Sequence, residues 1–234
     1  MGEYLLVLPN FLNVNLNKNI PVPSQTETQE INVQIQRGPI DRKKRQLIIT
    51  PDFIQFEDKW GTDPYTIFKK EDICEYRYGI NWISGYQFTI GREHVIFIRN
   101  SSGKELKISF KTFYGSRKRE YHKLSNNILD TLWDFFFSPI ANECYDKFKK
   151  GADITIGRAT LTKEAIVVDE GGLMKTEKKI IPWDKMEIKA YQTYFAIFSI
   201  ADPLKTNATF SYLKDWNALV LHSIVKFILG KRKE

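Results

Sequence analysis

The sequence predicts an α+β fold, mainly β, laid out as two copies of one plan: antiparallel strands curled into a barrel or sandwich, then one amphipathic helix. Three observations predict it. Short apolar runs separated by turn residues recur from Gln46 to Thr112. A three-and-four-residue apolar period then takes over from Tyr121 to Phe135. Finally, ATLTKEAIVVDE (159–170) repeats the order and spacing of LIITPDFIQFED (47–58).

The totals agree with two soluble domains. The chain has 234 residues, 42% hydrophobic and 27% charged, enough to bury two cores and stay in solution. Its net charge of +7 permits an anionic partner without requiring one. Cys74 and Cys144 stand in no metal or redox spacing. Both read as buried free thiols, Cys144 on a helix face with Ile140 and Phe148. MGEYLLVLPN carries Glu3 and a short apolar run, unlike a secretory signal, and Leu6 stands where myristoylation requires Ser or Thr. The longest apolar stretch, ALVLHSIVKFILG, is broken by His222 and Lys226, so no membrane span is expected. These features predict a soluble, cytoplasmic protein.

Residues 1–45 read as an N-terminal arm with a possible β-hairpin. Leu12, Val14 and Leu16 alternate with asparagines, PVPSQTETQE is a polar loop, and Ile31, Val33 and Ile35 alternate again. Residues 46–138 read as the first domain. LIIT and FIQFED flank a Pro51-Asp52 turn, suited because Pro presets φ and Asp bonds its own backbone. YTIFKK and ICEYRYGINWIS follow. Ser84-Gly85, Gly91-Arg92-Glu93 and 100–103 are expected to turn the chain between YQFTI, VIFIRN and ELKISFKT. The helix begins near Ser116, a suitable N-cap, and carries Tyr121, Leu124, Ile128, Leu132 and Phe135 on one face.

Ser138-Pro139 is expected to end that helix and start a linker helix over 139–151, stopped at Gly151. Residues 152–234 read as the second domain. ATLT and AIVVDE form its first hairpin, and KKIIPWDKMEI aligns with YTIFKKEDICE. YFAIFSI and ATFSYL add strands. A closing helix, capped by Asp215 and ended at Gly230, buries Trp216, Leu219, Val220, Ile224 and Phe227.

Strands followed by one C-terminal helix, with LIITPDFIQFED and ATLTKEAIVVDE opening the copies, resemble the bacterial pleckstrin-homology-like (PH-like) and GRAM-like families. Pro182-Trp183-Asp184 fits their pattern after the third strand; Lys70-Glu71 in the first copy departs from it. The resemblance covers about residues 46–232. It implies two seven-stranded barrels of two sheets, each plugged at one end by its helix. It also implies core roles for Trp216 and Phe227, and for Trp133 or Phe136 in the first copy. Lipid-binding members hold inositol phosphates with cations in the first hairpin loop, placed here at Thr50-Pro51-Asp52 and Thr162-Lys163-Glu164. Those loops carry one cation between them.

No catalytic, metal or cofactor residues are predicted. GGLMKT (171–176) lacks the Gly-Lys of a phosphate loop, no Gly-x-Ser-x-Gly occurs, and His94, His122 and His222 are isolated, His94 in an expected turn. Glu71, Asp72 and Glu170 show no acid–base pairing. The candidate anion-binding residues are Arg42, Lys43, Lys44 and Arg45 before the first strand, and Arg117, Lys118, Arg119 and Lys123 at the first helix. Four cations near an anionic bilayer contribute about 4 kcal/mol at best, and the ordinary role of such clusters is a solvated face. The expected function is a non-catalytic interaction or scaffold protein that binds a protein partner. The alternative is peripheral binding of anionic lipid headgroups or nucleic acid through these clusters.

Overall fold

The computed structural model describes residues 30–38, 41, 43–85, 88–113, 118–171 and 176–233. The expected strand at 12–16, the loop at 21–29, the Ser116 cap and residues 172–175 of GGLMKT lie outside them. The chain divides into two compact units, one within Pro23–Phe137 and one within Ser138–Glu234.

In the first unit β1 (Ile31–Gln36), β2 (Lys44–Ile49), β3 (Phe53–Glu57) and β4 (Tyr65–Lys69) form a four-stranded antiparallel sheet in chain order. Ile31–Gln36, grouped with the arm in the sequence, pairs along its whole length with β2. β5 (Ile73–Ser84), β6 (Thr89–Asn100) and β7 (Glu105–Phe113) form a three-stranded sheet, and α1 (Lys118–Leu132) follows. Period-two alternation sorts the faces. Leu47, Ile49, Ile54, Phe56 and Phe68 are buried, while Ile48, Gln55 and Ile67 between them face outward. The helix adds Tyr121, Ile128 and Leu132 to the core, and the Phe137 ring stacks on Tyr76 at 3.7 Å. Each such fully buried side chain contributes about 1.5–3 kcal/mol.

The second unit begins with α2 (Ser138–Lys149). The helix predicted as a linker packs on this unit: Tyr145 meets Phe227 edge-on at 4.7 Å, and Phe148 meets Trp183 at 5.9 Å. Gly151, at φ 89, ends it. The amides of Gly151 and Ala152 close back on the carbonyls of Phe148 and Lys147, a Schellman turn that only a residue comfortable at positive φ can make cheaply. β8 (Ile154–Ile156), β9 (Ala159–Leu161), β10 (Ala165–Gly171) and β11 (Thr176–Pro182) form the four-stranded sheet. β12 (Met186–Ala190), β13 (Tyr194–Ser199) and β14 (Asn207–Ser211) form the three-stranded one, and α3 (Ala218–Lys233) closes the unit.

The duplication extends to individual hydrogen bonds. The amide of Thr50 bonds the Phe53 carbonyl at 3.0 Å and that of Thr162 bonds the Ala165 carbonyl at 2.9 Å. Each threonine hydroxyl also accepts the amide three residues on. A 3-10 turn separates the fourth and fifth strands in both units, Lys70–Asp72 and Trp183–Lys185. Its first amide reaches back to Asp52 in one unit and Glu164 in the other. Its last carbonyl accepts Ser101 N–H and Ile200 N–H respectively, both at 2.8 Å.

The expected pair of seven-stranded barrels is not what these strands build. They lie in four small antiparallel sheets, none closed into a barrel, accompanied by a long helix and a C-terminal helix. Closure requires backbone pairing around the whole ring. The 3-10 turns interrupt the ladder between the fourth and fifth strands. At the outer edge of β14, side chains occupy the groups that a further strand would use. Lys179 Nζ donates to the Asn207 carbonyl at 2.9 Å, the Arg158 guanidinium donates to the Thr209 carbonyl, and the Ser211 amide donates to Asp215 Oδ2 at 2.7 Å.

Four local expectations change as well. Gly91-Arg92-Glu93 is not a turn but the interior of β6. Gly91 is there because a Cβ would lie 2.3 Å from the Thr112 carbonyl oxygen on β7. Ser138-Pro139 does not break the helix: a π turn, Trp133–Phe137, carries α1 into α2. Gly230 lies inside α3 rather than at its end. Asp215 does not cap that helix; it faces Arg158 Nε at 3.4 Å, and α3 starts beyond Asn217, whose φ is 53.

Candidate interaction surfaces

The first hairpin of the first unit is β1–β2, not β2–β3, so its loop is 37–43 and holds part of the first basic cluster. Arg42 lies outside the described residues. Asp41 organises the rest. Its carboxylate accepts the Lys43 amide through Oδ1 and Arg45 Nη2 through Oδ2, both at 3.1 Å. Burial pushes this carboxyl up, yet those two hydrogen bonds win and hold it below its usual range. Lys43 Nζ pairs with Glu57 Oε1 at 2.9 Å and lies 4.6 Å from the Trp60 ring. The Lys43 hydrogen bond, followed by that from the Gln46 amide, lowers the Glu57 carboxyl. Arg45 is 2% exposed and lies 5.3 Å from the same ring. Arg37, absent from the predicted set, covers Phe56 at 5.6 Å; burial and the nearby Arg45 lower its pKa. Arg37, Lys43 and Arg45 therefore share a neighbourhood with Asp41, Glu57 and Asp58. Lys44 is exposed at the start of β2.

The second cluster sits on α1. Arg117 lies outside the described residues, as does the side chain of Lys118; Arg119 and Lys123 are exposed. Tyr121 is buried edge-on against Phe110 at 5.2 Å, and His122 lies 6.2 Å from His94. Those two contacts set the first turns of α1 against β6 and β7. Ile83 pairs with Gly91 and Gly91 with Phe113, the last residue of β7. Beyond Ile83, Gly85 N–H donates a 2.7 Å bond to the Phe88 carbonyl between β5 and β6. That hairpin exposes Trp82 (53%) and Phe88 (65%). Arg92, opposite Trp82 in register, lies 5.4 Å from its ring.

A third feature occurs once in each unit. Ile67 on β4 and Ile180 on β11 are 55% and 60% exposed. They hold the same position: Gln55 pairs with Ile67, and Val167 with Ile180, one residue before the buried Phe68 and Ile181. Half-buried Ile48 and Phe53 lie on the outer face of the first of these sheets, and Val167 on that of the second.

The histidines and acids are arranged otherwise than the sequence suggests. His94 lies within β6, buried and stacked on its cross-strand partner Phe110 at 5.2 Å. In the second unit Phe195 and Phe210 form a stacked cross-strand pair on β13 and β14, with His222 of α3 4.9 Å from Phe195. Burial, aided by Arg92 and His122, lowers His94 to about 4; burial and Lys226 lower His222 to about 4. Asp130 and Asp134 stand one helical turn apart, and burial, then the Asp134 charge, raises Asp130 to about 6. This i,i+4 pair is visible in the sequence but was missed because it straddles the end of α1. Glu170 is held by Lys179 at 2.9 Å. Among the described residues no group of three His, Cys, Asp or Glu could hold a metal ion, and no helix is long and apolar enough to cross a membrane. Cys74 and Cys144 are half-buried rather than buried; burial raises both thiols, and Cys74 Sγ donates to the Arg99 carbonyl at 3.5 Å. Trp60, Trp82 and Phe88 were missed because aromatics in a β-rich sequence look like core.

Neither family models nor curated proteins yield a match to this chain.

Proposed function

We propose that this chain is a non-catalytic interaction protein that holds a protein partner through its two repeated units. The observation that carries the reading is the recurrence of an exposed isoleucine, Ile67 and Ile180, at one register position of both four-stranded sheets. A single exposed apolar residue is ordinary. Two at equivalent positions, each beside half-buried apolar neighbours, give one chain two like patches. Once the first is engaged, the second contact becomes intramolecular, which raises avidity without new chemistry. The alternative anionic role of the first basic cluster is weakened by the carboxylates that Lys43 and Arg45 already face.

The test is affinity capture of the full chain from its native cells, quantified by mass spectrometry. Ile67→Asp and Ile180→Asp should each reduce a common set of partners, and the double variant should remove it. Both side chains point outward, so circular dichroism should stay unchanged. A double variant that captures every partner at the unsubstituted level would refute the reading.

A further inference from the structure

We infer that the β13–β14 loop of the second unit, residues 200–205, anchors that unit's protein contact: Leu204 enters an apolar pocket of the partner, whose rim sets carboxylates against Lys185 and Lys205 and a cation against Asp184. The inference deepens the protein-partner reading, on which it rests, by naming the chemistry of the partner's surface.

Comparison of the two units isolates the loop. In each, the amide of the last residue of the middle strand closes it. Asn100 N–H donates to the Lys104 carbonyl at 3.0 Å, and Ser199 N–H to the Thr206 carbonyl at 2.8 Å. The next amide, Ser101 or Ile200, is tied to the 3-10 turn at 2.8 Å in both. Between these shared anchors the first unit uses only Ser101-Ser102-Gly103. The second has Ile200-Ala201-Asp202-Pro203-Leu204-Lys205. The longer loop is not required to join the strands, and its large apolar side chains add little to the core: Ile200 is 56% exposed and Leu204 90%.

The loop is held in one shape. Asp202 accepts the Lys205 amide through Oδ1 at 3.3 Å and the Thr206 amide through its carbonyl at 3.0 Å. Asn207 Nδ2 donates to the carbonyls of Pro203 and Leu204, both at 2.9 Å. The Asn207 carbonyl in turn accepts Lys179 Nζ at 2.9 Å, which tethers the loop to β11, the strand that carries Ile180. A side chain projected from a fixed loop surrenders less freedom on binding than one on a floppy loop.

Charge selects the occupant. Lys185, whose carbonyl holds Ile200, is exposed, as are Lys205 beside Leu204 and Asp184 beside Lys185; Asp202 adds a half-buried carboxylate. A rim of both signs offers little net attraction to an anionic bilayer or to nucleic acid, which reward accumulated cations. It is matched by a protein rim of reversed signs, where each pairing fixes register. A single aliphatic knob suits the enclosed pocket of a folded protein.

The experiment places photo-reactive p-benzoylphenylalanine in the full chain in place of Leu204, and in a control chain in place of Ser102, and irradiates both in the native cells. Mass spectrometry should map the cross-links from position 204 to one apolar protein segment flanked by Asp or Glu, absent from the control. With that cross-linked protein purified as the probe, Leu204→Ser should weaken binding more than about tenfold. Lys185→Glu with Lys205→Glu should slow association, most at low salt, whereas Lys185→Arg with Lys205→Arg should not. Circular dichroism should be unchanged throughout, because these side chains are exposed. Cross-links scattered over unrelated proteins, confined to a second copy of this chain, or mapped to a segment without carboxylates overturn the inference. If the Ile67→Asp, Ile180→Asp chain loses the protein while Leu204→Ser keeps full affinity, the inference falls and the reading stands. The reverse result supports the anchor and counts against the recurrent isoleucines.

Discussion

The indole nitrogen of Trp183 donates a 2.9 Å hydrogen bond to the carbonyl of Thr162, tying the 3-10 turn after β11 to the hairpin turn before β10. Trp183 is 2% exposed; Lys70, at the equivalent position of the first unit, is exposed. The two units therefore share a backbone arrangement but secure it with different side chains. Trp183→Phe should cost about 1 kcal/mol, because it removes the hydrogen bond to a part-buried carbonyl while keeping most of the apolar contact. Lys70→Ala should fall within about 0.5 kcal/mol of the unsubstituted chain. Urea unfolding of both variants checks the contrast.

Gly91 carries a second prediction. A Cβ there would sit 2.3 Å from the Thr112 carbonyl oxygen, and neither β6 nor β7 can move away without breaking its ladder. Gly91→Ala should destabilise the first unit by more than about 2 kcal/mol. Hydrogen exchange should locate the loss in β5–β7.

Much of this architecture is legible in the sequence, and the limits have physical causes. The Thr50 and Thr162 hairpins, the apolar stripe of α1 and the Gly151 stop are local, and each is visible as spacing or turn chemistry. Gly91 looks like a turn because glycine signals both a bend and a close cross-strand approach; only the Thr112 carbonyl distinguishes them. Ile31–Gln36 was grouped with the arm because its partner, β2, lies across a loop. Sheet closure is a long-range property. Whether β14 pairs with another strand depends on Lys179 and Arg158 reaching its carbonyls, and no local period encodes that reach. Among the candidate cations, Lys43 and Arg45 stood out as charge, but Asp41 and Glu57 change their meaning only in three dimensions.

The buried histidines predict a pH dependence. His94 faces Arg92 and His122, and His222 faces Lys226; both rings lie among aromatics that hold them neutral. Their folded values, about 4, lie below the ordinary 6.5, so the unfolded chain takes up protons first. Stability is full above pH 6.5 and falls as pH drops towards 4, by about 3 kcal/mol for each histidine. Replacing both with Phe should flatten the dependence of Tm on pH across that window.

Asp130 has the opposite sign. Its folded value, about 6, lies above the ordinary 3.8, so its contribution is fully present below pH 3.8 and is lost as pH rises through 6. Asp130→Asn should raise stability at pH 7 by on the order of 1 kcal/mol and leave it unchanged near pH 3.5. Chemical denaturation at the two pH values separates this effect from a general helix effect.

The central claim, that one contact site recurs in both units, is tested most directly by amide hydrogen exchange. The full chain would be measured alone and within the complex it forms with a captured protein. The account predicts slowed exchange in Tyr65–Lys69 and in Thr176–Pro182 together. Protection confined to one unit, or lying wholly outside β4 and β11, would contradict it.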